Sequence, residues 1–519
     1  MARAEPHSIM GGSGPGPKRT GVPVQPERLF PFDAVLIANR GEIALRIVRS
    51  VQRLGLRAIV AFHAVDADSP AVRQADLGLP IVGATPVAAY LDGAQIIAAA
   101  LTAGAGAVHP GYGFLSENAA FARACGAAGL RFVGPPPDVI ERMGDKVTAR
   151  AFVARSGFAV APSAIESDDP ASFGQRVRAM QFPLLIKPAA GGGGKGMHIV
   201  RDPASLAGAI ERARGEAQRY FGDGRLYAEA YIENPRHIEV QVLGDAHGHV
   251  VHFHERECSV QRRFQKIVEE TPSPTLNPEQ RREICAAALG IARGAGYQNA
   301  GTVEFIFGGG RFYFLEMNTR LQVEHPVTEA VFGIDLVEQQ LRIAAGEPLA
   351  FTQAQLQPHG HAIELRICAE DAARGYLPTT GTLQVVHEPQ GAGIRVDSGV
   401  AAGQLVTAAF DPLLAKLIVH APTRDMALAL GRQALSDYVL LGCQTNIGFL
   451  RRLLAHPAFV DAQIHTGYLD AHPEVAAEPA IDKATLHKLL AVAALTSRSL
   501  RDAADAVPAL HAAIGAWRN

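Results

Sequence analysis

The strongest constraint in this sequence is a pair of alternating runs, TVEFIF (302–307) and FYFLEMN (312–318), separated by Gly308, Gly309 and Gly310. Period-two alternation on both sides of a glycine cluster predicts an antiparallel hairpin. With a three-residue loop at 309–311, Glu304 falls directly opposite Glu316, their Cβ atoms about 5 Å apart. Like charges so placed destabilise a sheet unless something positive lies between them. Hard oxygens at that spacing suit Mg²⁺ or Mn²⁺ bridging to phosphate oxygens. Asn318, two residues beyond Glu316, shares their face as a third ligand or a substrate contact. Val303, Phe305, Phe307, Leu315 and Met317 are expected on the opposite, core-facing side. Pairing of either glutamate with an arginine is the competing expectation.

The 519 residues around this hairpin suffice for about three domains at roughly 150 residues each. From Phe32, DAVLIAN reads as a strand, and RGEIALRIVRSVQRLG as a helix with Ile43, Ile47, Val51 and Leu54 on one face and Gly55 at its end. LRAIVAFH is the next strand, so a parallel α/β domain opens here. Further on, FPLLIKPA and GMHIV flank a glycine run, a strand, loop, strand unit expected to form a small lid. AAGGGGKGM is not the P-loop of NTPases, because Gly196 and a β-type run follow Lys195 where that motif needs Ser or Thr and a helix. Its backbone N–H groups can still close on phosphate oxygens. Lys187, in an apolar strand where a lysine rarely stands without a reason, adds a point charge for the same anion. Lys146 in RMGDKV is a weaker signal, since a lysine near a helix start is usually solvated.

NTRLQVEHPVTE (318–329) is too polar for a core strand. Arg320 offers a planar fork for a carboxylate-like or bicarbonate anion. Glu324 is a candidate general base, provided burial and neighbouring cations tune it. QRRFQKIVEE, with Gln261 and Lys266, reads as a solvated face. His237, alternating with Glu239 and Gln241, reads as a structural histidine. With 49 Lys+Arg against 51 Asp+Glu, no bulk field marks a nucleic-acid or membrane-surface binder. The five cysteines are scattered without CxxC spacing, against a zinc site or disulfide framework and in favour of a reducing cytoplasm. No run of about 18 apolar residues predicts a membrane span, and residues 1–30 lack the apolar core of a secretory signal.

VLIANRGEIALRI, VHPGYGFLSEN, MGDK, IKPAAGGGGKGM, ENPRHIEVQVLGD, ERECSVQRRFQKIVEE, FYFLEMNTRLQVEHPVTE and HAIELRICAED together resemble the biotin carboxylase family, continuously from Phe32 to Asp470. The resemblance implies an α/β (α+β) three-domain ATP-grasp fold. Its parts are a disordered leader over 1–30, a Rossmann-like N-terminal domain over 31–150, an ATP-grasp region over 151–345 with its lid at roughly 158–231, a C-terminal domain over 346–475, and a helical appendage or linker over 476–519. It implies ATP phosphates held by Lys146, Lys187, Gly193 and Gly194, with Glu229 and Ile232 at the adenine hinge and His237 near the ribose. Glu304, Glu316 and Asn318 would hold two Mg²⁺ or Mn²⁺ ions, and Lys266, Arg320, Gln322 and Val323 would position bicarbonate. Glu324 would be the base, and Arg366 would face the ureido oxygen of biotin.

Two departures from the family pattern stand near the nucleotide: Phe264 where many members carry histidine, and Ala230 in place of a lysine at the adenine hinge. A lysine between two methionines, the biotin-accepting signature, does not occur in the sequence. Biotin is therefore expected as a substrate on a separate carrier protein or domain, with a carboxyltransferase as further partner, a homodimeric state and a cytoplasmic location.

Overall fold

The computed structural model describes residues 30–189, 196–479 and 481–496. Gly193 and Gly194, most of the leader and residues 497–519 lie outside the described residues.

The N-terminal part is a parallel sheet ordered β3-β2-β1-β4-β5, made of β1 (Ala34–Ile37), β2 (Arg57–Phe62), β3 (Leu77–Pro80), β4 (Ala107–His109) and β5 (Arg131–Phe132). The helix Gly41–Arg53 after β1 buries Ile43, Ile47 and Val51, and Gly55 follows its end in the left-handed region. The strand order reverses between β1 and β4, where parallel sheets open a crevice at their carboxyl ends. The loop after β4 carries Glu117, which reaches out of this domain to the site described below.

A small antiparallel sheet, ordered β6-β9-β7-β8, follows: β6 (Ser163–Ile165), β7 (Leu184–Pro188), β8 (His198–Val200) and β9 (Leu226–Ala230). The two strands flanking the glycine run, β7 and β8, pair with each other. The helices Phe173–Arg178 and Leu206–Phe221 close its core through Phe173, Val177, Leu206, Ala209, Ala213 and Ala217.

The largest element is an eight-stranded sheet. Its strands β10 (Arg236–Gly244), β11 (Val250–Arg262), β12 (Gln265–Thr271), β13 (Asn299–Gly308), β14 (Arg311–Asn318) and β15 (His361–Cys368) run in the order β14-β13-β10-β11-β12-β15, and Leu413–Ala421 and Ile394–Ser398 complete it. Pairing of β12 with β15 carries the sheet without interruption across residue 345. Helix Pro278–Gly294, started by an Asn277–Gln280 capping box, buries Ile284, Ala288 and Ile291 against β10 and β11.

The β13–β14 hairpin brings Glu304 opposite Glu316 by a different route from the expected one. Its turn holds two residues, Gly309 and Gly310, both with positive φ, as a type I′ turn demands. A bulge between Glu304 and Phe305 then restores the alignment. Between turn and bulge the faces are exchanged, so Phe314 is in the core in place of Leu315. QRRFQKIVEE is likewise not a solvated face: it is the β11–β12 hairpin, with Gln261, Glu269 and Glu270 buried and only its tip, including Phe264, exposed. Helix Lys483–Thr496 leaves Leu486, Leu489 and Leu490 exposed. No helix of the described residues is long and apolar enough to cross a membrane.

Candidate active site

The large sheet, the small sheet and the loop after β4 deliver their polar residues to one place. At its centre the Lys266 ammonium donates to three buried carboxylates: Glu239, Glu304 at 2.8 Å and Glu324 at 2.6 Å. Burial works against that charge, but the three acids together raise the Lys266 pKa well above its ordinary value. Glu304 gathers four partners. Lys266, Asn318 and Gln322 donate to its Oε1 at 2.8 Å each, and His237 Nε2 lies 2.8 Å from its Oε2. Against burial, which alone would raise it, Lys266 and His237 hold Glu304 well below the usual carboxylate range. His237 is therefore part of the site rather than a purely structural residue.

Glu324 is wholly enclosed. It is the N-cap residue of the helix His325–Phe332, which Pro326 starts, and its side chain makes no capping bond. The carboxylate turns back instead, one oxygen to Lys266 and the other to Arg366 at 3.0 Å. Burial and the nearby Glu239 would raise its pKa, yet Lys266, Arg366 and Arg256 bring it below the ordinary value. Glu324 is thus an ionised acceptor between two cations.

Arg320 faces into the site. Its Nε donates to Glu117 at 2.8 Å, and its terminal nitrogens reach Asn318 Oδ1 at 3.1 Å and Gln322 Oε1 at 3.2 Å. Arg366 leaves β15 toward the same centre and is also held by Glu269 at 2.7 Å. Val323 accepts from Lys416 through its carbonyl at 2.8 Å.

The remaining expected residues line the facing side. Lys146 begins the helix Lys146–Arg155 and pairs with Glu316 at 2.7 Å. Burial opposes its charge and Glu316 supports it, with the net result raised; Lys146 also senses Lys187 and Tyr227 of the small sheet. Lys187 is only 7% exposed; it pairs with Glu229 and lies 5.8 Å from the Tyr227 ring. Ile232 packs on the hairpin end so closely that a Cβ on Gly308 would come within 2.4 Å of its Cγ2.

The competing expectation of an arginine partner does not hold among the described residues: each carboxylate is balanced by a lysine, Lys266 for Glu304 and Lys146 for Glu316. The donor set nonetheless fits a hard divalent ion. Two register-matched carboxylates offer anionic oxygens, and the environment of Glu304 keeps it ionised.

Four participants escaped the sequence reading: Glu117, Arg256, Glu269 and Lys416. Arg256, fully buried, fixes Glu239 and also donates to Gln241 at 2.8 Å and Thr328 at 3.0 Å. Lys416 stands fully buried in LLAKLIV, the same signal that singled out Lys187.

A small sheet carrying the buried Lys187, a large sheet with paired carboxylates, and Glu324 held between Lys266 and Arg366 fit an ATP-grasp ligase. Models of the biotin carboxylase N-terminal domain, the carbamoyl-phosphate synthase L chain ATP-binding domain and the biotin carboxylase C-terminal domain match residues 31–140, 145–352 and 364–471. Biotin carboxylase from Halalkalibacterium halodurans is 46% identical over 86% of this chain and 98% of its own length. The mitochondrial methylcrotonoyl-CoA carboxylase subunit alpha of Oryza sativa is 45% identical over 85% of this chain, which spans 60% of that longer protein. The biotin carboxylase domain dimer of Hydrogenobacter thermophilus 2-oxoglutarate carboxylase, solved with MgADP, ADP and bicarbonate, has a TM-score of 0.84 and 43% identity, covering 86% of this chain and 99% of that one. The chain belongs to the biotin carboxylase family.

Proposed function

We propose that this chain carboxylates biotin with bicarbonate at the expense of ATP, the first half-reaction of a biotin-dependent carboxylase. The observation that carries the reading is Glu324: a fully enclosed, ionised carboxylate bound to Lys266 on one oxygen and Arg366 on the other. A general base needs an open lone pair and a partner that positions the acid. Here Lys266, Arg320, Gln322 and the Val323 backbone place bicarbonate, and Glu324 takes its proton. The freed oxygen then attacks the γ-phosphate, giving carboxyphosphate and ADP. A divalent ion on Glu304, Glu316 and Asn318 would supply further neutralisation of phosphate charge. Lys146 and Lys187 neutralise phosphate oxygens from the facing side, and Glu229, Ile232 and His237 line the adenosine. Carboxyphosphate breaks down to CO₂ and phosphate, the phosphate removes the N1′ proton of biotin, and Arg366 stabilises the enolate that attacks CO₂.

The MgADP and bicarbonate bound by the Hydrogenobacter relative support this assignment. We place the enzyme in the cytoplasm as a homodimer, with a biotin carrier and a carboxyltransferase as partners. The test is ADP release from ATP. It should require bicarbonate and rise with free biotin; release that ignores bicarbonate, or that an amine acceptor stimulates instead, would sink the reading.

A further inference from the structure

Among the described residues, three groups of histidine, cysteine and acidic side chains converge closely enough to share a cation. Two belong to the carboxylate cluster of the active site. The third, His456, His472 and Glu474, lies in the last turns of the large domain and takes no part in the chemistry above. His456 joins the helices Ile447–Ala455 and Pro457–Val460, while His472 ends the short helix Tyr468–Ala471 and Glu474 stands in the following turn.

We infer that His456 Nε2, His472 Nδ1 and a Glu474 carboxylate oxygen form a binding site for one divalent transition-metal ion. Both ring nitrogens lie 3.2 Å from the same carboxylate oxygen, Glu474 Oε1, and all three donor atoms are within 4.8 Å of one another. For metal–ligand bonds of about 2.0–2.1 Å the edge of a tetrahedron is about 3.3 Å. The two donor spacings to Glu474 therefore match a coordination polyhedron before any ion enters. His456 has a fixed outer partner: its Nδ1 is bonded to the Tyr468 hydroxyl at 2.7 Å, and the Tyr468 ring is buried against it. That bond leaves Nε2 as the ligating atom, the arrangement that orients histidine ligands in metal sites. The side chains are 19%, 29% and 59% exposed for His456, His472 and Glu474, so an ion has access and water can fill the open positions. Two imidazoles and one carboxylate select Zn²⁺, Co²⁺ or Ni²⁺ over Mg²⁺, which prefers oxygen ligands throughout. A bound ion would clip the turn Pro473–Val475, itself tied to Arg452 through the Val475 carbonyl at 2.9 Å, to the corner at His456.

The experiment uses the full chain without a histidine tag, stripped of metal and titrated with Zn²⁺ by calorimetry in excess Mg²⁺, with thermal unfolding followed in parallel. One equivalent of zinc is expected to bind and raise the unfolding midpoint, while His472→Ala loses that equivalent and keeps its bicarbonate-dependent ATP cleavage. Tyr468→Phe, which preserves the packing, should weaken binding about 10-fold or more. Identical zinc isotherms for the unmodified chain and His472→Ala would overturn the assignment, as would binding that Mg²⁺ abolishes. Should His472→Ala misfold by circular dichroism, Glu474→Gln, exposed and isosteric, replaces it and must lose affinity by the same criterion.

Discussion

The ionised state of Glu324 comes from three cations, Lys266, Arg366 and Arg256, which together outweigh burial and Glu239, rather than from any property of glutamate alone. Replacing it by glutamine keeps the shape, but the amide can accept from only one of Lys266 and Arg366, and the proton acceptor of the proposed step is lost. Glu324→Gln should lower bicarbonate-dependent ATP cleavage by about 10²–10⁴-fold, measured as ADP release at saturating bicarbonate; unchanged turnover assigns the base elsewhere. Arg366 acts later. Arg366→Ala should reduce carboxybiotin formation by roughly 10²-fold or more while ADP release falls much less, and equal losses would argue that it serves the nucleotide step instead.

A third residue behaves oppositely. Glu364 stands opposite Glu269 in register, two residues from Arg366, fully enclosed and with neither oxygen hydrogen-bonded. Burial, only partly offset by Lys416, pushes its pKa well above the usual carboxylate value. The folded protein therefore holds a proton that the unfolded chain releases. This group favours folding below the ordinary carboxylate pKa, and the advantage is lost as pH rises toward the folded value. Glu364→Gln stays neutral throughout. Its unfolding midpoint relative to the unmodified chain should rise as pH increases from the ordinary carboxylate range toward the folded value; a pH-independent difference would contradict a neutral Glu364. At this scale the sequence was partly legible. A lysine inside an apolar strand betrays itself, as Lys187 did and Lys416 would have by the same logic. Glu117 and Glu269 carry no such mark, because exposed loops and polar strand ends hold glutamates for many reasons.

At the scale of the element, the β13–β14 hairpin shows why register was readable and its details were not. A three-residue loop, or a two-residue loop plus a one-residue bulge, puts the same residues opposite each other beyond the irregularity. Alternation therefore identified Glu304 and Glu316 as partners, but it could not tell that the bulge at Leu315 turns Phe314 inward. Likewise QRRFQKIVEE looks solvated by composition, yet its charges are neutralised inside the sheet by partners on strands distant in sequence. Gly308 has a specific task in this element. Its φ is unremarkable, but an added methyl would meet Ile232 Cγ2, and a β-branched isoleucine has few rotamers into which to retreat. Gly308→Ala should displace Ile232 and raise the KM for ATP about five-fold, the equivalent of roughly 1 kcal/mol, with kcat little changed. A fall in kcat at unchanged KM would place the effect on the hairpin carboxylates rather than on the nucleotide wall.

For the whole molecule, the contact of the N-terminal domain with the large sheet brings Glu117 to Arg320, and no local pattern in the sequence announces that contact. The parallel α/β opening was legible from periodicity, whereas the clasp depends on side chains nearly three hundred positions apart. Arg46, on the first helix, donates to Glu329 and Asp335 at 2.8 Å each. Arg395 holds Glu329 from the other side at 2.7 Å, and Lys416 lies 3.3 Å from Glu42. Lys416 thus joins this clasp to the Val323 carbonyl of the site. Removing one member of a buried ion network leaves the others uncompensated, at a cost of about 3 kcal/mol. Arg46→Met, similar in volume, should therefore lower the thermal midpoint at neutral pH. The dependence on acid follows from Asp335. Burial alone would raise its pKa, but Arg46 holds it far below the ordinary value. A depressed carboxylate contributes stability above the unfolded pKa of about 3.9 and loses it as pH falls toward the folded value. The gap between the two proteins should accordingly be full near pH 7 and shrink below about pH 4, read from unfolding midpoints across an acid series. A gap that persists unchanged into acid would mean that Arg46 stabilises by packing alone, and the electrostatic clasp between the two domains would have to be abandoned.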